Sequence, residues 1–284
     1  MAERRLEGKV AFVTGAAHGQ GANHAKFLAR EGASIVALDV CEDIAPIYPL
    51  GTEKELGETV AECESHGVNA IAIKADVRNE DQIKAAVDQG IDRLGKIDIL
   101  VNNAGVCKVD AINEMPGEAL DAIIDVNVKG IFHTTKHCTS GMIERGEGWI
   151  VSTSSAGGLK ALPYVSHYAA SKGAVVLATK SWANELAPYG INVNCICPSS
   201  IYSGMITGLA GQMEIDPVTQ ENVGVGNVDP VGAFEAFNAN TMFEGTRGHV
   251  TIDDISHMVV FLCVPESRMI TGQAIPVDAG WTSS

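Results

Sequence analysis

Lys9-Val10-Ala11-Phe12-Val13-Thr14-Gly15-Ala16-Ala17-His18-Gly19-Gln20-Gly21 decides the fold. The run from Lys9 to Thr14 reads as a short buried strand, and Gly15 breaks it at once. Gly19 and Gly21 follow, then a helical pattern over 22–30 that stops at Gly32. Ser34-Ile35-Val36-Ala37-Leu38 forms a second strand closing on Asp39. Strand, glycine turn, helix and strand make a βαβ unit, and such a unit opens a parallel sheet. In that setting the glycines bring main-chain N–H groups against a pyrophosphate at the positive end of the helix. A carboxylate at Asp39 accepts hydrogen bonds from adenosine ribose hydroxyls and repels a 2′-phosphate. Residues 16–18 supply no Arg or Lys to receive such a phosphate, so NAD is favoured over NADP.

The alternation continues outward from this unit. Helices are predicted over 52–65, with Thr52-x-x-Glu55 as a capping box, and over 80–94. Further helices are predicted over 116–145, 166–186 and 251–262. Strands are predicted at 70–73, 97–101, 149–153, 192–196 and 274–277. Seven strands interleaved with helices give an α/β fold: a doubly wound, mostly parallel, Rossmann-like sheet with ligands at the carboxyl ends of the strands. No linker or internal repeat divides the chain, so 1–284 is read as one dinucleotide-binding catalytic domain. Two connections exceed ordinary α/β loops. Residues 40–51 carry the apolar, twice proline-broken Ala45-Pro46-Ile47-Tyr48-Pro49-Leu50 and read as a cofactor-covering insertion. The excursion 198–250, with Met205, Leu209, Met213, Met242 and Phe243, reads as a substrate loop. An oligomer contact is the alternative for each.

Composition excludes several classes. A hydrophobic share of 46% with 19% charged residues argues against disorder. A net charge of −15 argues against nucleic-acid or anionic-membrane partners. No apolar run is long enough to span a membrane, and Met1-Ala2-Glu3-Arg4-Arg5-Leu6-Glu7 lacks the apolar stretch of a signal peptide. Seven scattered cysteines suit reduced thiols in a cytoplasm. Cys195 and Cys197 share a strand face without a second pair at zinc-finger spacing. His133 and His137 lie four apart without the Glu of a zinc-hydrolase helix, so no metal is expected.

Ser166-His167-Tyr168-Ala169-Ala170-Ser171-Lys172 places a tyrosine and a lysine one turn apart on one helix face. An ammonium beside a phenol favours phenolate, and a phenol tuned that way exchanges a proton with an alcohol. Chance supplies such pairs often enough that the spacing by itself decides nothing.

The surrounding motifs do decide. Thr14-Gly15-x-x-x-Gly19-x-Gly21, Asp76-Val77, Asn102-Asn103-Ala104-Gly105, Asn127, Ser155 and Tyr168-x-x-x-Lys172 occur in order, over nearly the whole chain. The chain thereby resembles the short-chain dehydrogenases/reductases. The resemblance implies that Tyr168 is the general acid/base, that Lys172 lowers its pKa and holds the nicotinamide ribose, and that Ser155 orients the substrate oxygen. Asn127 would interrupt its helix and hold a water linking Lys172 to solvent. Gly15, Ala17, His18, Gly19, Gln20 and Gly21 would take the pyrophosphate end of the cofactor. Asp39 and Val40 would take the adenosine ribose, Asp76 and Val77 the adenine. Asn103, Ala104 and Gly105 would line the cofactor, with Tyr168 and Lys172 at the nicotinamide ribose and Pro198, Ile201 and Ser203 near the carboxamide. Pro198-Ser199 departs from the family's usual Pro-Gly, Ser203 stands for its more common Thr, and Gln20 for a small aliphatic residue.

Those departures, the insertion after Asp39, Asn23-His24-Ala25 and the ending Pro276-Val277-Asp278-Ala279-Gly280-Trp281 resemble a narrower subgroup, the carveol-dehydrogenase-like, mycofactocin-associated dehydrogenases. That resemblance implies a buried, non-exchanging NAD, an external redox carrier such as mycofactocin, and an apolar secondary alcohol, such as a cyclic terpenoid, interconverted with its ketone. The family implies a homotetramer built through 116–145 and 166–186. A carbonyl reductase of another lipophilic substrate with exchangeable NAD(H) is the alternative, and a non-catalytic dinucleotide-binding scaffold the third.

Overall fold

The computed structural model describes residues 4–161, 163–199 and 250–283. Seven strands form one sheet: β1 (Val10–Thr14), β2 (Ser34–Asp39), β3 (Ala70–Lys74), β4 (Ile99–Asn102), β5 (Gly148–Thr153), β6 (Ile191–Pro198) and β7 (Ala274–Val277). Their order is β3-β2-β1-β4-β5-β6-β7 and every ladder is parallel, so "mostly parallel" becomes wholly parallel. Among the described residues the α-helices are α1 (Gly19–Arg30), α2 (Glu53–Ser65), α3 (Glu80–Leu94), α4 (Gly117–Ile124), α5 (Gly130–Arg145), α6 (Ser166–Leu186) and α7 (Ile252–Cys263).

Strand residues alternate between two cores, as their period of two requires. Ala11, Val13, Ile35, Ala37, Ile99 and Val101 pack beneath Leu28 of α1 and Ile255 and Val259 of α7. Val10, Phe12, Val36, Leu38, Leu100 and Ile150 face the other way, onto Ile83 of α3, Met142 of α5 and Leu186 of α6. A sheet with helices on both faces leaves only its strand ends open for a ligand. β1 pairs with β2 on one side and β4 on the other, so their following turns diverge and leave a crevice there.

Local rules set most ends. Thr52 and Glu55 form the expected capping box, and Thr251 with Asp254 forms another at α7. β4 starts two residues later than expected: the Asp98 carboxylate before it accepts a hydrogen bond from Val10 N at 2.9 Å and pairs with Lys96 at 3.0 Å. α1 starts at Gly19, not residue 22, so two glycines of the turn belong to its first turn. Between α4 and α5 the helix widens into one π turn, Asp125–Lys129, without breaking. None of the helices among the described residues is long and apolar enough to cross a membrane.

α1 and α7 are joined by a polar pair inside the first core. His24 is fully buried, its Nδ1 lies 2.8 Å from Ser256 Oγ, and its Nε2 has no partner among the described residues. Burial pushes its pKa down to about 3. A folded pKa below the unfolded value stabilises the protein above about pH 6.5, and this contribution is lost as pH falls toward the folded value. Denaturant titrations at pH 7 and pH 4.5 should therefore show His24→Asn losing on the order of 2 kcal/mol less on acidification than wild type. Equal losses would mean that His24 is not held neutral.

Candidate active site

The crevice is built by main chain lying where side chains cannot. Gly15 has φ +65°, and a Cβ there would sit 2.9 Å from Ala104 Cα. A Cβ on Gly21 would fall 2.0 Å from the Gly15 carbonyl oxygen. Thr14 Oγ1 accepts hydrogen bonds from Asn103 N and Ala104 N, both at 3.0 Å, while Asn103 Nδ2 donates to Thr14 O at 3.1 Å. The glycine turn and the Asn103-Ala104-Gly105 turn are thereby one rigid floor.

This floor fits a dinucleotide. No side chain among the described residues caps α1, so its first N–H groups are free for an anion. His18 Nδ1 and Gln20 Oε1 beside them are buried without a partner among the described residues. Asp39, 7% exposed at the end of β2, accepts hydrogen bonds from Ala17 N at 3.0 Å and Cys41 N at 3.1 Å. Those bonds orient its carboxylate beside the turn, and Val40 follows it directly. Asp76 and Val77 lie after β3. The Asp76 carboxylate takes the Arg78 guanidinium at 2.6 Å, and Val77 is buried against α5.

Tyr168 and Lys172 share one face of α6, the ammonium 5.7 Å from the ring centroid. Lys172 is 3% exposed and donates to Thr153 O at 2.7 Å, with no carboxylate partner among the described residues. Burial lowers its pKa to about 8. Burial raises the Tyr168 phenol above its ordinary value, Cys107 adds to that, and a hydrogen bond with Ser155 pulls it back. Dehydration, and not the neighbouring lysine, sets the direction here. Ser155, at the end of β5, also accepts from Gly157 N at 3.0 Å.

Asn127 occupies the π turn and is 1% exposed. Its Oδ1 accepts from Val106 N at 2.8 Å, and its Nδ2 donates to Val106 O at 2.9 Å and Ser171 Oγ at 3.0 Å. The side chain is thus committed to protein, so a water held here would fall to main chain freed by the wide turn. Gly105 joins the groups: a Cβ there would stand 3.2 Å from Lys172 Nζ and 3.4 Å from Asn127 Oδ1.

Two features escaped the sequence reading. Ser154 Oγ donates to Lys172 O at 2.8 Å, and a Cβ on Gly158 would lie 2.8 Å from the Lys172 carbonyl carbon, so the turn after β5 presses on α6. The run Ser154-Ser155 before Gly157-Gly158 was the available signal. Second, Lys108 Nζ meets Asp110 at 2.5 Å and His167 Nε2 lies 3.2 Å from the same carboxylate. Burial pushes the His167 pKa down against the pull of Asp110. Residues 40–51, read as a cofactor cover, reach the glycine turn through Gly51 and Tyr168 through Tyr48. Gly51 sits where a Cβ would be 2.8 Å from His18 Nδ1, whereas buried Tyr48 packs with Cys107 and Tyr168.

All seven cysteines are free thiols, and no group of three metal-ligating side chains occurs among the described residues. His137 pairs with Glu80 at 3.1 Å, and His133 Nδ1 lies 2.9 Å from Val77 O. Pro198 ends β6 beside β5. Ile201, Ser203 and the apolar residues named at 205–243 lie outside the described residues.

A family model described as short chain dehydrogenase matches residues 9–213, and one described as enoyl-(acyl carrier protein) reductase matches 229–282. The (-)-trans-carveol dehydrogenase of Rhodococcus erythropolis is 40% identical, covering 98% of this chain and 99% of its own. The carveol dehydrogenase of Mycobacterium avium, solved in complex with NAD, is 36% identical, with a TM-score of 0.88 over 99% of both chains. A short chain dehydrogenase of Mycobacterium paratuberculosis, bound to NAD, is 34% identical, with a TM-score of 0.83 over 99% of this chain and 100% of that one.

The contact at Gly158 gives a test of how the site is held. Gly158→Ala should push α6 at Lys172, cutting kcat by about a hundredfold, as misplacement on the scale of 1 Å does. Tm should fall by a few degrees. An unchanged kcat would show that α6 is positioned by other contacts.

Proposed function

The chain belongs to the short-chain dehydrogenase/reductase family and is an NAD-dependent oxidoreductase of it; from that premise we propose that it interconverts an apolar secondary alcohol and its ketone with NAD tightly held. The observation that carries the reading is the convergence of the Ser155 hydroxyl, the Tyr168 phenol and the dehydrated Lys172 ammonium at the end of the β1/β4 crevice. A scaffold that only bound nucleotide would have no use for a phenol there.

NAD supplies the hydride acceptor when bound. Gly15, Gly19 and Gly21 would admit its pyrophosphate to the uncapped end of α1, and Asp39 would hold the adenosine ribose. Lys172 and Tyr168 reach the nicotinamide end. Ser155 Oγ and Tyr168 Oη together seat the alcohol oxygen, and Oη takes the hydroxyl proton as the ketone forms. Lys172, lowered to about 8 but still cationic at neutral pH, stabilises the phenolate. Run in reverse, the same groups reduce a carbonyl. Apolar residues at the site edge (Tyr48, Val109, Val165) support a lipophilic, carveol-like substrate.

Residues 40–51 act as the cofactor cover, anchored at Gly51 on the glycine turn and at Tyr48 beside Tyr168. Electrons from a cofactor retained in this way leave through an external redox carrier, mycofactocin by resemblance. Assembly as a tetramer through α5 and α6 is supported by Phe132, 48% exposed, and Leu177, 67% exposed, on those helices. The seven free thiols suit a cytoplasmic setting.

Tyr168→Phe should lower kcat by about 10² to 10⁴ while bound NAD persists. Because the phenol is held high, oxidation by wild type should rise with pH through the alkaline range, and the variant should lose that rise. Unchanged turnover would remove Tyr168 from the mechanism. Protein purified without added nucleotide and then denatured should release one NAD(H) per chain. A supernatant without it would sink the trapped-cofactor reading.

A further inference from the structure

The connection 40–51 makes contacts beyond the glycine turn. A Cβ on Gly51 would already fall 2.5 Å from Ala17 Cβ and 2.8 Å from His18 Nδ1, on the glycine turn. Three residues upstream, Tyr48 is 4% exposed and lies in a separate apolar cluster with Leu50, Cys107, Val109, Val165 and Tyr168. Cys107 and Val109 belong to the chain leaving β4, and Val165 immediately precedes α6. Three segments distant in sequence therefore meet around the ring of the tyrosine that must touch the alcohol.

This meeting place is rigid. Lys108, Asp110 and His167 tie the chain leaving β4 to the start of α6 through buried charge, and Asp110 N donates to Tyr164 O at 2.8 Å. Burial, with Cys107 and Tyr168 adding to it, holds the Tyr48 phenol well above its ordinary pKa. Tyr48 is consequently a neutral aromatic surface and not a second proton carrier. Its ring packs in one apolar cluster with Tyr168.

We propose that Tyr48 is a specificity-determining residue: its ring is the wall of the substrate site beside Tyr168, so the connection 40–51 selects the alcohol as well as covering the cofactor. The inference rests on the alcohol-dehydrogenase reading above. Pocket walls discriminate through filled volume, and each methylene's worth of space carries a measurable share of kcat/KM.

The test uses the full chain as purified, with an artificial electron acceptor and two secondary alcohols, a substituted cyclohexanol and 2-butanol. Tyr48→Ala should shift the ratio of their kcat/KM values toward the bulkier alcohol by about tenfold, mostly through KM. Tyr48→Leu, which keeps most of the apolar volume, should shift it less in the same direction and serves if the alanine variant does not fold. Wild-type turnover with an unchanged ratio in the folded variants overturns the inference alone. A wild type that oxidises neither alcohol overturns the dehydrogenase reading and the inference with it.

Discussion

Two stretches of main chain can lie within van der Waals contact only where no Cβ stands between them, and the active site starts from that constraint. At Gly15 and Gly21 the space a Cβ would need is already filled by the main chain of Ala104 and the Gly15 carbonyl. The approach lets Asn103 donate two hydrogen bonds to Thr14 across the divergence of β1 and β4. It also leaves the first turn of α1 bare for an anion. The same device recurs at Gly158, which brings the turn carrying Ser155 onto the main chain of Lys172. Nucleotide end and proton-transfer end are thus set by one kind of contact, steric rather than electrostatic.

Electrostatics then acts on groups already fixed in place. Lys172 and Tyr168 are both dehydrated, and dehydration disfavours the charged form of each, lowering one pKa and raising the other. The ordinary values of the two groups lie close together, so these opposite shifts move them apart, and burial by itself favours the neutral phenol over the phenolate. Ser155 works against burial on the phenol, and Thr153 O holds the ammonium in place.

Local rules made much of this legible. The βαβ unit, the seven strands, the Thr52–Glu55 box and the Tyr168/Lys172 face all follow from periodicity, caps and spacing within a few residues. Asp39 was legible because it closes a strand whose partner turn was already recognisable. Gly158 and Ser154 were not, because their meaning is a contact with α6 that neighbouring residues do not encode. Lys108, Asp110 and His167 were hidden for the same reason, His167 standing 57 residues from Asp110. The sign of the Tyr168 shift depends on burial, which spacing does not report. The wide turn at Asn127 leaves the apolar pattern on either side helical, so periodicity runs through it and only the resemblance pointed to an interruption there.

That wide turn has a consequence for how the chain tolerates change. A π turn holds one residue more than an α turn, so α5 is rotated by about 100° from where a regular continuation of α4 would set it. Thr134, Cys138 and Met142 face the core only in this phase. A one-residue deletion within 125–129 would heal the helix into regular geometry and turn those three outward, along with removing the place of Asn127. A defect in hydrogen-bond spacing is thus the phase marker for the sixteen residues of α5. Along this segment length is constrained more tightly than residue identity.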